Sequence, residues 1–255
     1  MLLAMDIGNS QTVVGVYDGT QLLRHWRVST EARRTSDELA LQLQGLLRLM
    51  KLSLSDNVSG VVISSVVPPL TEAFREMADR YLTCEPVVVG PGIRTGIAIR
   101  TDNPREVGAD RLVNALAAFD KYGGPGIVVD FGTATSFDVY DDTGAFLGGA
   151  IAPGVQTSMA ALSARGAQLG AVELAMPDHA IGRSTVESMQ AGAIYGFAGQ
   201  VDRLVEALTG ELPAAPVVVA TGGLALPITD ICRHIDHHDQ WLTLRGLRLV
   251  WERNR

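Results

Sequence analysis

The stretch Leu2-Leu3-Ala4-Met5-Asp6-Ile7-Gly8-Asn9-Ser10-Gln11-Thr12-Val13-Val14-Gly15-Val16-Tyr17-Asp18 decides the fold. An apolar run ends in an aspartate, a Gly/Asn/Ser turn follows, and a second apolar run leaves it. This pattern predicts a β-hairpin whose turn is built to hold a ligand. Gly8 lets backbone approach a ligand closely, and Asn9 and Ser10 offer side-chain and main-chain donors. A carboxylate at the strand end can hold a metal or a metal-bound water. Taken alone, the stretch is equally compatible with an ordinary hairpin carrying a polar turn. A second copy changes the balance. Ile127-Val128-Val129-Asp130-Phe131-Gly132-Thr133-Ala134-Thr135-Ser136-Phe137-Asp138-Val139-Tyr140-Asp141 repeats the order of apolar strand, Asp-x-Gly, small hydroxyl residues, apolar strand and Tyr-Asp. The two aspartates lie about half the chain apart. A repeat at that period predicts two duplicated domains, residues 1–115 and 116–255, with both turns facing one cleft.

Composition agrees with a globular chain of this size. The chain has 255 residues, 47% hydrophobic and 19% charged, enough to bury a sizeable core. A net charge of −7 without a basic run leaves no electrostatic footprint for nucleic acid. Lysine is confined to Lys51 and Lys121. Positive charge for an anionic ligand must therefore come from arginine, backbone N–H groups or metal ions. Cys84 and Cys232 stand far apart, which excludes metal-ligand spacing and a disulfide framework and fits a reducing cytoplasm. Met1 to Met5 meets Asp6 too soon for a secretory signal, and no apolar run has the roughly 18 residues of a membrane span.

Beyond the first hairpin, Gln21 to Ser29 reads as a third antiparallel strand. Ser36 is the expected N-cap of a helix carrying Leu39, Leu43, Leu46, Leu47 and Met50 on one face. Gly60 to Val67 is a buried strand stopped by Pro68-Pro69, a helix runs to Tyr81, and Pro86 to Val89 is a short strand. Asn103-Pro104 is expected to open the next helix, which continues through Leu112, Leu116 and Phe119. After the second hairpin come a strand at 146–151 and a helix opened by Pro153-Gly154. Ser184-Thr185-Val186-Glu187 is a capping-box pattern opening a helix to Thr209. Val217 to Ala220 is a strand running into Thr221-Gly222-Gly223, and Leu247 to Trp251 is expected to be a last short strand. Strands alternating with helices after an antiparallel opening indicate α/β architecture with mixed sheets. The late histidines His234, His237 and His238 read as surface or helix-end residues.

Three glycine turns now share one role: Asp6-Ile7-Gly8-Asn9, Asp130-Phe131-Gly132-Thr133 and Thr221-Gly222-Gly223. Each follows an apolar strand, and such turns present N–H groups to phosphate oxygens. Their order resembles the sugar-kinase, actin and heat-shock chaperone (ASKHA) superfamily, with its actin- and hexokinase-like, ribonuclease H-like domains. Within it the chain resembles the type III pantothenate kinase family. The matching segments are Asp6 to Ser10, Ile63 to Pro69, Asp102-Asn103-Pro104 with Gly108-Ala109-Asp110-Arg111, and Asp130 to Ala134. They continue with Gly148 to Gly154, Ile181 to Thr185 with Met189 to Gly192, and Thr221-Gly222-Gly223-Leu224-Ala225. They cover essentially the whole chain in order.

The resemblance implies ATP-dependent phosphorylation of the terminal hydroxyl of pantothenate to 4′-phosphopantothenate, the first step of coenzyme A synthesis, by a cytoplasmic homodimer. It implies that Asp6 orients magnesium, directly or through water. Asp6, Ile7, Gly8, Asn9, Ser10, Gln11, Thr12 and Val13 then form the ATP-binding turn, with Thr133 serving from the second hairpin. Phosphoryl transfer asks for such positioning and charge neutralisation. Asp110, near a helix start beside Gly108 and Ala109, is the candidate base. Arg111 is the natural partner of the substrate carboxylate; the bland alternative for both is a solvated Asp-Arg pair on a helix. Asp130 could be a second magnesium ligand, while the resemblance implies a potassium or ammonium ion there, near a dimer interface. Thr185 is an expected substrate contact within a site completed by the partner subunit. Thr101 stands where the family tends to carry a substrate-contacting tyrosine. Two rival functions remain at this point: an ASKHA kinase for another small hydroxy compound, and a non-catalytic regulatory homologue.

Overall fold

The computed structural model describes residues 1–166, 169–223 and 226–255; Leu224 and Ala225 of the third glycine segment lie outside them. The described chain divides into two units. The first comprises Met1–Gly96, Asn103–Ala117 and Thr243–Arg255, the second Ile97–Asp102 and Ala118–Leu242.

In the first unit, β1 (Leu2–Ile7), β2 (Gln11–Asp18) and β3 (Gln21–Ser29) form the expected antiparallel meander. Beyond β1 lie β4 (Gly60–Ser65) and β5 (Pro86–Val88), both parallel to it, giving the order β3-β2-β1-β4-β5. Strands β1 and β4 read as near-continuous apolar runs because they are covered on both faces. One covering layer is α1 (Ser36–Arg48) with α3 (Pro68–Tyr81). Leu39, Leu43 and Leu47 of α1 and Leu70, Phe74 and Met77 of α3 share one buried cluster with Leu3, Met5, Ile7, Val61 and Ile63.

The second unit repeats the sheet. β6 (Gly126–Phe131) is antiparallel to β7 (Ala134–Tyr140), which is antiparallel to β8 (Phe146–Pro153). On its other side β6 runs parallel to β9 (Val217–Thr221), followed in the sheet by β10 (His237–His238), with the single helical turn α7 (Leu226–Thr229) between the two in sequence. The order β8-β7-β6-β9-β10 matches the first sheet strand for strand. The long helix α6 (Thr185–Thr209) covers one face, burying Ile194, Ala198, Val201 and Val205 against Ile127, Val129, Phe131, Phe137 and Val139. Between them in sequence, α5 (Val155–Arg165) begins at Gly154 as its Pro-Gly opening predicts.

Three local expectations need correction. The N-cap of α1 is Thr35, not Ser36. Thr35 Oγ1 accepts from Glu38 N, and Glu38 Oε2 accepts from Thr35 N at 2.8 Å, a reciprocal box that sequence spacing allows. Asn103-Pro104 opens only a 3₁₀ turn, Pro104–Glu106, which ends where Val107 is extended; α4 (Ala109–Tyr122) starts after it. Asn103 caps nothing there, its amide donating instead to Glu106. A single helical turn, α2 (Leu54–Asn57), and the strand β10 carry no periodic signal and go unpredicted. The expected strand at 247–251 is the middle of the last helix, α8 (Leu242–Asn254). Its short apolar run fits either period; Leu244, Leu247 and Val250, all buried, settle it as helical at spacing three.

Helix α8 belongs to the first unit from Thr243 onward, and Trp251 packs on Gly60 of β4. At Gly246 it crosses α4 so closely that a Cβ would lie on the carbonyl oxygen of Val113. Gly246→Ala should therefore lower stability by about 1–3 kcal/mol through overpacking. Gly45→Ala in α1, where a Cβ meets nothing within 4 Å, should instead raise stability by roughly 0.5–1 kcal/mol. Thermal unfolding of the two variants beside the parent chain checks the contrast.

Candidate active site

In the first unit, the parallel pairing of β1 with β4 sets Asp6 opposite Ser64, one residue before the strand ends. Gly8 N donates to Gln11 O at 3.1 Å and closes the turn, so Asn9, Ser10 and Gln11 stay exposed. The eight residues expected to bind ATP in this turn thus divide by environment. Ile7 is buried in the core, and Thr12 is 5% exposed. Val13 is half-buried. The Thr12 hydroxyl meets that of Thr30 at 2.9 Å, while Thr30 N donates to Ser10 O. Thr30 braces the turn from behind, and no sequence signal marks it. Ser64 is fully buried, and its hydroxyl has no partner among the described residues. An oxygen left in that state beside a carboxylate suits a cation or its bound water.

Asp110 and Arg111 lie in the first turn of α4. Asp110 Oδ1 accepts from Arg111 N at 2.9 Å, which aims the carboxylate back over the helix start. Gly108 makes room for it, because a Cβ there would stand 2.5 Å from Asp110 Oδ1. Both side chains are half-buried rather than solvated, unlike a surface ion pair.

The second unit carries the corresponding turn. Gly132 N donates to Ala134 O at 3.0 Å, and Thr133 is exposed at the tip. The carbonyl of Thr133 is held by Gly154 N at 3.1 Å and by the Thr157 hydroxyl at 2.7 Å, both at the start of α5. Asp130 stands opposite Thr221 of β9, as Asp6 stands opposite Ser64. Thr221 is 1% exposed with a hydroxyl lacking a partner among the described residues. Gly222 has φ +97°, and a Cβ there would come 2.7 Å from Asp130 Oδ1. Glycine is thus required both by the backbone and by the carboxylate. Among the described residues no group of three or more His, Cys, Asp or Glu gathers to hold a metal. Any cation here would rest on single carboxylates helped by hydroxyl, backbone or ligand oxygens.

Thr101 and Thr185 also belong to the second unit. Thr101 is half-buried beside Gly148, its hydroxyl without a partner among the described residues. Thr185 is exposed at the first turn of α6, where Ser184 Oγ accepts from Glu187 N at 3.2 Å; Glu187 in turn accepts from Arg183 N. It lines a groove of about 720 Å³ between α5 and α6, with Arg183 and Ser184 at its rim and Met159, Leu162, Met189 and Phe197 in its walls.

Comparison with known proteins fits this arrangement. Residues 2–207 match the family model described as type III pantothenate kinase. A type III pantothenate kinase from Acidothermus cellulolyticus is 54% identical over 255 residues, covering all of this chain and 99% of the relative. Among solved structures, a conserved candidate Baf family transcriptional activator from Campylobacter jejuni superposes with a TM-score of 0.61 at 18% identity, over 99% of this chain and 98% of its own. A polyphosphate/ATP-glucomannokinase from Arthrobacter superposes with a TM-score of 0.50 at 14% identity, over 100% and 99%. At such identities the two structures speak for the fold alone, which is that of the ASKHA kinases. The full-length sequence match speaks for more: the chain belongs to the type III pantothenate kinase family.

Proposed function

We propose that this protein transfers the γ-phosphoryl group of ATP to the terminal hydroxyl of pantothenate, producing 4′-phosphopantothenate and ADP in the first step of coenzyme A synthesis. The observation that carries this is the family match across the whole chain, which includes both Asp-x-Gly turns and the Gly108–Arg111 segment. Kinases of this kind use ATP with a divalent metal.

Each site residue then has a task. The exposed part of the first turn, Gly8 to Gln11, offers backbone and side-chain donors to phosphate oxygens, and Thr12 stiffens it through Thr30. Thr133 does the same from the second turn, held in place by Gly154 and Thr157. Asp6 with the Ser64 hydroxyl forms an oxygen donor set suited to magnesium or its water. Asp130 with Thr221 and Gly222 forms one suited to a larger monovalent cation, potassium or ammonium. Such cations supply neutralising charge to the phosphates. The net charge of −7 makes that supply necessary.

Asp110 accepts the proton of the pantothenate hydroxyl. The hydroxyl oxygen bonds to the γ-phosphorus while the bond from that phosphorus to the β–γ bridging oxygen breaks, and ADP leaves with the electron pair. The Arg111 N–H donates to Asp110 Oδ1 and fixes the direction of the carboxylate. Arg111 pairs with the pantothenate carboxylate through a charge-assisted fork, and Thr101, Gly108, Ala109 and Thr185 complete the substrate contacts.

We further propose a cytoplasmic homodimer. Exposed Ile181 and Val186, at 84% and 50%, place apolar surface just before and at the start of α6, beside Thr185. Apolar surface grouped this way favours an interface.

ADP release measured with magnesium and potassium or ammonium present should depend on pantothenate. A panel of sugars and other hydroxy acids should release little, and a pantothenate-independent profile would refute the assignment. Asp110→Asn should lower kcat by ~10²–10⁴-fold while ATP binding, read by nucleotide titration, persists. Arg111→Ala should raise the KM for pantothenate by roughly 10- to 100-fold with that for ATP nearly unchanged. The reverse pattern would remove Arg111 from the carboxylate.

A further inference from the structure

Residues 97–102 follow an unusual course. They belong to the second unit, while Gly96 and Asn103 on either side belong to the first. The segment is therefore a strap whose placement depends on what ties it down. Backbone ties come first: Ile99 forms a parallel bridge with Phe146, Arg100 N donates to Phe146 O at 2.8 Å, and Phe146 N donates to Ala98 O at 2.8 Å. These hold the strap up to Arg100. Beyond it, the tie is a side chain, Arg100 Nη1 to Asp141 Oδ2 at 2.7 Å.

Asp141 is a fixed post for this tie. Its side chain is only 12% exposed, against 58% for Arg100. Its other oxygen, Oδ1, accepts from Thr143 N at 2.9 Å, Thr143 Oγ1 at 2.6 Å and Ala145 N at 2.9 Å. Burial opposes its charge, but the Thr143 and Ala145 bonds and the Arg100 guanidinium outweigh that and hold its carboxyl below the usual carboxylate range. The tie is thus present throughout neutral conditions. An exposed arginine tied to an immobile carboxylate loses less freedom than a pair in which both partners move.

Next to the tied residue stands Thr101. Its buried hydroxyl lacks a partner among the described residues, and its methyl group faces Gly148. A buried hydroxyl without a partner is costly, and a ligand that supplies the partner accounts for it. We infer that Arg100, anchored on Asp141, is a positioning residue for pantothenate: it fixes the strap that presents Thr101 and so sets the KM for that substrate without touching it. This rests on the proposal that Thr101 contacts pantothenate.

The test is steady-state kinetics on the full chain for Arg100→Met, Arg100→Lys, Asp141→Asn, the double variant Arg100→Met with Asp141→Asn, and Thr101→Val, with thermal unfolding of each. Asn at 141 keeps an oxygen for Thr143 and Ala145 but turns an amide toward Arg100. Arg100→Met and Asp141→Asn should each raise the KM for pantothenate roughly three- to tenfold, with kcat and the KM for ATP within about twofold. The double variant should be no worse than either alone, and Arg100→Lys should stay near the parent. Tether variants without effect, beside a Thr101→Val that raises the KM, would overturn this inference alone. So would a joint shift of kcat and both KM values with a fall in melting temperature, or additive single effects. A silent Thr101→Val would overturn the assignment of Thr101 as a substrate contact and this inference with it.

Discussion

In each sheet the central strand ends in a carboxylate, then one apolar residue, then a glycine whose N–H closes onto the start of the next strand. Gly8 N to Gln11 O and Gly132 N to Ala134 O are the two closures. This hydrogen bond constrains everything near it. It fixes the hairpin register in which Asp6 meets Val13 and Asp130 meets Ser136. It also leaves Asn9, Ser10 and Thr133 exposed at the tips. The apolar residue between carboxylate and glycine, Ile7 or Phe131, is buried and anchors the turn in the core. Neither turn can slip by one residue without moving that anchor to the wrong face.

An acidic protein with two lysines carries nearly all of its positive charge on arginine. In the proposed reaction short-range donors meet the polyanionic ATP: backbone N–H groups at glycine turns, hydroxyls, single arginines, and cations that Asp6 and Asp130 would hold. Such donors act over hydrogen-bond distances and are screened far less than surface charge. The same short-range arrangement shows in the Gly108–Arg111 segment, where Gly108 gives the Asp110 carboxylate room to meet the N–H of Arg111.

Much of this was legible from residue order because it is local. Strand–Asp-x-Gly–strand is a pattern a few residues long, and the bounds of β3 and the start of α6 follow from alternation and capping. The last helix is not legible, since the short stretch 247–251 satisfies both periods and only the burial of Leu244, Leu247 and Val250 at spacing three decides. Thr30 behind Thr12, Thr157 beneath Thr133 and Asp141 beneath Arg100 were also hidden. Each is a polar residue of ordinary type that gains its role from a partner well away in sequence. The helix expected at Pro104 shortened to a single turn because Val107 is extended, and that break places Gly108 directly ahead of α4.

In the proposed reaction the Asp6 and Asp130 turns serve the phosphates while Asp110 and Arg111 serve the acceptor. A crystal structure with pantothenate and a non-hydrolysable ATP analogue bound together tests this division. Phosphate oxygens are expected against Gly8 to Gln11 and Thr133, the pantothenate hydroxyl within hydrogen-bond distance of Asp110, and its carboxylate on Arg111. Pantothenate bound with its carboxylate away from Arg111, or with its hydroxyl out of reach of Asp110, would contradict it.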